Sequence, residues 1–191
     1  MDERMAHYGV PGISVAVLRD GEVAWAQGWG TADRETGAPV TSETLFQAAS
    51  ISKPVAALAA LSLVEEGSLS LDEPIGAYLT GWRLPENEFT ADSAVTLRHL
   101  LTHSAGTTVS GFPGYRKDQP YQGTEGEGER MVATNAEVLD GRGNTDPVRV
   151  DKVPGTSWRY SGGGYTVMEQ AVEDVTGVPF EQAAGRRVLE P

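Results

Sequence analysis

Phe46-Gln47-Ala48-Ala49-Ser50-Ile51-Ser52-Lys53-Pro54 leads into a run rich in alanine and leucine that ends at Glu65-Glu66-Gly67. Proline is tolerated in a first helical turn and glycine is favoured just past a helix end, so the run predicts a helix over residues 54–66. A serine three residues ahead of a lysine at the start of that helix lies on the same face, within reach of the amine. Ala48, Ala49, Val55 and Ala56 are small and apolar. They would partly desolvate Lys53, and the positive end of the helix dipole also disfavours its charge. An uncharged amine there can take the proton of the Ser50 hydroxyl, while unpaired N–H groups of the first turn stabilise a developing oxyanion. The same residues also suit a plainer role, with Ser50 or Ser52 capping the helix and Lys53 solvated.

Outward from this stretch, composition narrows the classes. A chain of 191 residues can bury about two thirds of its unfolded surface, enough for one domain or a large piece of a bigger one. Hydrophobic residues at 39% and charged residues at 22% are those of a folded chain, not a disordered one. Fifteen basic against 27 acidic side chains leave a net charge of −12, which repels phosphate backbones and anionic lipid and argues against nucleic-acid binding. The absence of cysteine removes disulfides, thiolate metal sites and cysteine nucleophiles. Residues 1–8 contain no apolar run of the kind a signal peptide needs, so no export signal is visible and a cytoplasmic location is the default expectation. The most apolar run, residues 55–64, includes Ser62 and stops at Glu65, far short of the roughly 20 residues of a membrane span.

Local patterns place the remaining elements. The β-branched run from Ile13 to Leu18, then Asp20-Gly21, then Val23 to Trp29, predicts a hairpin. Short helices are expected over residues 72–79, with Asp72 as N-cap and Pro74 in the first turn, and over residues 96–101. Residues 110–154 turn polar and glycine-rich around one further helix near residues 131–139, and read as a surface loop or as a lid over a site. Gly162-Gly163-Gly164 feeds a helix over residues 165–175 stopped by Gly177, and residues 180–189 form a last helix. Early strands followed by helical sequence give an α+β class with helices and an antiparallel sheet.

Several other residue groups invite chemical readings. His99 and His103 have the spacing zinc uses, but neither a following glutamate nor a third ligand accompanies them, so no metal is expected. The glutamates of residues 125–129 alternate with glycine and read as solvated loop rather than a cation site. Ser161-Gly162-Gly163-Gly164 lacks the lysine of a phosphate loop. Trp158 and Tyr160 suit core packing through their rings.

Residues 46–54 resemble the S-x-x-K segment of the serine β-lactamase and penicillin-binding protein superfamily, in particular its class C-like and family VIII esterase branch. Four more stretches resemble it in order: Val10-Pro11-Gly12-Ile13-Ser14-Val15-Ala16-Val17, Gly67-Ser68-Leu69-Ser70-Leu71-Asp72-Glu73-Pro74-Ile75, His99-Leu100-Leu101-Thr102-His103-Ser104-Ala105-Gly106, and Tyr160-Ser161-Gly162 in the place of Y-x-N. Together they span nearly the whole chain as one partial domain. The resemblance implies a serine hydrolase that works through an acyl-enzyme on Ser50, without metal or cofactor, with Lys53 and Tyr160 managing the proton. It makes His103 a structural residue that fastens a turn near the site. Small esters or related acyl compounds are the implied substrates, with β-lactams or D,D-peptides as the alternative.

Two departures qualify these expectations. Gly162 replaces the asparagine whose amide would meet a substrate amide, so Gly162 is a substrate-binding position that leans toward esters, which acylate with fewer positioned donors. Beyond Tyr160 no Lys-Thr-Gly or His-x-Gly follows, the element that supplies the second oxyanion N–H in the family. The expectation is therefore an incomplete sheet and an activity lowered by at least about 10²- to 10³-fold, the usual effect of one lost oxyanion donor. An uncovered sheet edge also invites self-association, and a non-catalytic homologue that binds a ligand or partner is the alternative to an enzyme.

Overall fold

The computed structural model describes residues 1–116, 118–119, 121–123, 129–130 and 132–190. The chain divides into two compact units, Met1–Ala49 and Ser50–Pro191.

The first unit holds helix α1 (Asp2–Tyr8) and an antiparallel hairpin of β1 (Gly12–Arg19) and β2 (Glu22–Gly30). Asp20 and Gly21 both have positive φ (53° and 82°), the geometry a two-residue turn needs to match the twist of its strands. The register runs from Gly12 opposite Gly30 to Arg19 opposite Glu22, with an irregularity between Val17 and Leu18. Trp25 and Trp29 meet edge to face at 6.2 Å, while Val17, Leu18, Val23 and Trp25 remain exposed. Gly28 is required by packing, because a Cβ there would stand 2.4 Å from the Val40 carbonyl oxygen.

The second unit is helical. Helix α2 (Ser52–Glu65) follows a single 3-10 turn, Ala49–Ile51. It ends as the glycine predicts: Gly67 has φ 75°, its N–H donates to Val64 O at 3.0 Å, and Ser68 N donates to Leu63 O at 2.9 Å. Helix α3 (Leu97–Leu101) is capped by Thr96, and α4 (Asn135–Leu139) by Thr134. Between them lie two-residue strands, β3 (Tyr121–Gln122) and β4 (Glu129–Arg130), paired antiparallel. Helix α5 (Gly162–Thr176) is the centre of the unit, with Val167, Met168, Ala171 and Val172 fully buried among Leu63, Leu100, Leu139 and Val148. Helix α6 (Phe180–Ala184) continues into a π-helical turn, Gly185–Leu189, where Arg187 bonds Ser62 and Glu66 of α2. Helices with two two-stranded antiparallel sheets among the described residues make an α+β class.

Three expectations are corrected. Residues 72–79 do not form an α-helix: Pro74 is extended (ψ 125°) and bridges Thr96, Ile75 N donates to Val95 O, and only a 3-10 turn, Ile75–Ala77, remains. Asp72 caps nothing; its carboxylate takes two bonds from Arg98 at 2.7 and 2.8 Å, and a long-range pairing has displaced the local cap. The helix expected near residues 131–139 is limited to Asn135–Leu139, since Thr134 is extended (ψ 163°); Met131 lies outside the described residues, as do residues 124–128 of the glutamate–glycine run. The last helix loses its α-helical form after Ala184. No helix among the described residues is long and apolar enough to cross a membrane.

Candidate active site

The 3-10 turn and the start of α2 deliver Ser50 and Lys53 to one point, and the segment before α5 brings Tyr160 to it from 110 residues away. Ser50 sits in the 3-10 turn, immediately after Ala49, whose φ of 46° is unusual for a residue with a side chain. Ser50 Oγ accepts from Tyr160 Oη at 2.7 Å and from Lys53 Nζ at 3.3 Å. All three groups named from the sequence therefore meet on one hydroxyl.

Lys53 is half-buried. Its ammonium lies 4.9 Å from the centre of the Tyr160 ring and 5.4 Å from that of Tyr165, an arrangement that stabilises positive charge. That charge, by hydrogen bonding first, together with the Ser50 hydroxyl, holds the Tyr160 phenol below its ordinary 10.0. Tyr165 moves the other way, raised by burial and then by Tyr160. The two phenols are thus driven in opposite directions by their neighbours.

His103 supports Tyr160. Its ring lies 4.5 Å from the Tyr160 ring and 5.3 Å from that of Tyr165, and its Nδ1 accepts from Ser161 N at 3.3 Å. Burial, then the Lys53 charge, lowers its pKa and so favours the neutral imidazole. The His103 carbonyl accepts from Arg159 N at 2.8 Å, and the Arg159 guanidinium is tied to Asp151 and to Gly106 O. His99 turns elsewhere, its Nδ1 accepting from Thr96 N at 3.4 Å. Among the described residues no three His, Asp or Glu side chains gather as a metal site.

Ser161 is buried between these parts. Its hydroxyl donates to Thr108 O at 2.8 Å and accepts from Gly164 N at 2.9 Å, which caps α5. The three glycines after it are the first turn of α5 rather than a lead into it. A Cβ on Gly163 would stand 2.7 Å from Thr108 O, and one on Gly164 would stand 2.8 Å from Thr107 Oγ1. Gly162 is buried and its N–H donates to Ser110 O at 3.1 Å. Sequence reasoning passed over Tyr165, which had a signal, since it is one turn into the helix that follows Tyr160.

The sequence profile of the β-lactamase family matches residues 1–191. Esterase EstB of Burkholderia gladioli is 32% identical over 190 residues, covering 100% of this chain and 47% of the esterase. Penicillin-binding protein 4 of Amycolatopsis lactamdurans is 27% identical over 190 residues, covering 100% of this chain and 45% of that protein. Among solved structures, the octameric penicillin-binding protein homologue of Pyrococcus abyssi superposes with a TM-score of 0.75 at 35% identity, covering 100% of this chain and 41% of its own. EstCE1, described as a hydrolase with promiscuous acyltransferase activity, gives 0.73 at 27% identity, covering 99% and 49%. The chain thus spans about half the length of the relatives it matches. With a family profile matched along all 191 residues and a lysine and a tyrosine converging on one serine, this chain belongs to the β-lactamase family.

Proposed function

We propose that the chain holds the nucleophile of a serine hydrolase that cleaves small esters through an acyl-enzyme on Ser50. The observation that carries this reading is the pair of bonds on Ser50 Oγ, 2.7 Å to Tyr160 and 3.3 Å to Lys53. Tyr160 in its phenolate form accepts the Ser50 proton across the same 2.7 Å contact. The serine oxygen attacks the ester carbonyl, and the N–H groups that a helix's first turn leaves without intrahelical acceptors are the donors suited to the oxyanion. Tyr160 then returns the proton to the departing alkoxide, and water releases the acid from Ser50. The hydrogen bond from Lys53 favours the phenolate form of Tyr160.

Esters are favoured because Gly162 supplies no side-chain amide and its own N–H is spent on Ser110 O. One relative bears the name of an esterase and another that of a hydrolase with acyltransferase activity, which supports acyl chemistry here. The test is labelling with a fluorophosphonate probe beside hydrolysis of p-nitrophenyl butyrate. Ser50→Ala removes both signals. Labelling that persists in Ser50→Ala overturns the assignment, and nitrocefin turnover above ester turnover would replace esters with β-lactams as the substrate.

A further inference from the structure

Ser161 is extended (φ −141°, ψ 117°), so the side-chain directions of residues 160 and 162 point to one side of the chain. On that side the Tyr160 phenol reaches Ser50. Position 162 carries no side chain, and the space is not empty: a Cβ there would stand 3.0 Å from Phe112 Cε2 and 3.2 Å from Ser110 O. An aromatic ring therefore fills the space that a side chain at position 162 would take, two residues along the chain from Tyr160.

The ring is held in place by backbone. Gly162 N donates to Ser110 O at 3.1 Å and Gly163 N to Val109 O at 2.9 Å, which fastens the loop carrying Phe112 to the first turn of α5. Val109 has φ 61°, a conformation costly for a β-branched residue and kept only where the surroundings impose it. Phe112 itself remains 40% exposed, so the loop presents its ring as a surface instead of burying it in the core.

We propose that Phe112 is the specificity-determining residue of this site. Its ring receives the apolar acyl chain of an ester and, lacking any hydrogen-bonding group, disfavours acyl chains with an amide close to the scissile carbonyl. The proposal rests on the hydrolase reading above and names its substrate class. Each methylene laid fully against apolar surface is worth up to about fourfold in affinity, whereas an amide pressed there without a partner loses roughly tenfold to hundredfold.

The experiment uses the full chain with three p-nitrophenyl esters: acetate, hexanoate and N-acetylglycinate. Acylation is read as nitrophenol release above the Ser50→Ala background and as added mass on Ser50. The wild type favours hexanoate over N-acetylglycinate by about tenfold or more. Phe112→Ala lowers hexanoate acylation by at least about fivefold more than acetate acylation, and Phe112→Ala with Gly162→Asn raises the ratio of N-acetylglycinate to hexanoate by about tenfold over Phe112→Ala alone. A thermal-unfolding cycle supplies a readout apart from activity: Gly162→Ala lowers Tm less when Phe112 is already alanine, because the ring that a Cβ meets has gone. Equal effects of Phe112→Ala on acetate and hexanoate overturn the proposal while leaving the hydrolase standing, and so does a Gly162→Ala penalty independent of residue 112. Absence of acylation by all three esters in the wild type overturns both.

Discussion

At the residue scale the site is a matter of where one proton rests. Lys53 faces two aromatic rings and a hydroxyl and lowers the Tyr160 phenol through its hydrogen bond, while burial raises Tyr165 and lowers His103. The competent form is the deprotonated Tyr160, so a lowered pKa extends activity toward lower pH. The pH profile of kcat/KM for an ester therefore climbs with a midpoint below 10.0. In Lys53→Met that midpoint moves up toward the ordinary phenol value, and activity at pH 7 falls with it. Tyr160→Phe, which leaves the ring packing on His103 intact, lowers kcat/KM by about 10²- to 10⁴-fold, the usual contribution of a positioned acid–base group. A profile unchanged by Lys53→Met would show that the lysine does not act through the tyrosine.

At the scale of elements, the loop region around α4 is organised by one buried carboxylate. Glu137, only 3% exposed, accepts from Thr134 N and Oγ1 at 2.8 Å each and from Tyr121 Oη at 3.0 Å, and pairs with Arg130. Burial opposes its charge, but the Thr134 bonds, then Tyr121 and Arg130, outweigh it and hold the carboxyl at about 2 instead of 4.5. A depressed carboxyl contributes stability that is complete above its unfolded value and disappears as pH falls toward the folded one. Glu137→Gln accordingly costs about 2–3 kcal/mol at pH 7 and little near pH 2, measured by denaturant unfolding at the two pH values. The capping box at the start of α4 was absent from the sequence reading, which placed a helix start at Met131. Thr134 and Glu137 do stand at the capping-box spacing, but the hydrophobic run that confirms such a signal is only five residues long.

At the scale of the second unit, a different carboxylate sets an upper pH limit on stability. Glu169 lies on α5 one turn beyond Tyr165, and burial, then Glu173, raises it from 4.5 to about 7 against the opposing pull of Lys53. The folded state therefore binds more protons than the unfolded one between those values, and stability falls as pH rises from about 4.5 through 7. Glu169→Gln removes this loss: it raises stability by roughly 1–3 kcal/mol at pH 8 and changes it little at pH 4, as thermal melts at both values would report. A melt that shifts equally at the two pH values would place the effect in packing rather than ionisation. Opposite slopes from Glu137 and Glu169 leave the best stability between them.

Some of this protein was legible in its sequence for a simple reason: local rules acted without competition. The Asp20-Gly21 turn, the Gly67 and Gly177 helix ends, and the placing of Ser50 and Lys53 on one helical face depend on backbone preferences within a few residues. Local rules failed where a distant partner offered more, as when Arg98 drew Asp72 away from a cap and residue 95 paired with Ile75 in place of a helix. That Tyr160 meets Ser50 could be anticipated only through resemblance, since 110 residues of chain separate them and no spacing rule spans such a distance. Only the tertiary structure decided the charge environment of Lys53, the separation of the two phenols and the ring of Phe112 against Gly162. Each depends on groups from different segments arriving within a few ångströms, where electrostatics and packing are set by three-dimensional neighbours that residue order does not contain.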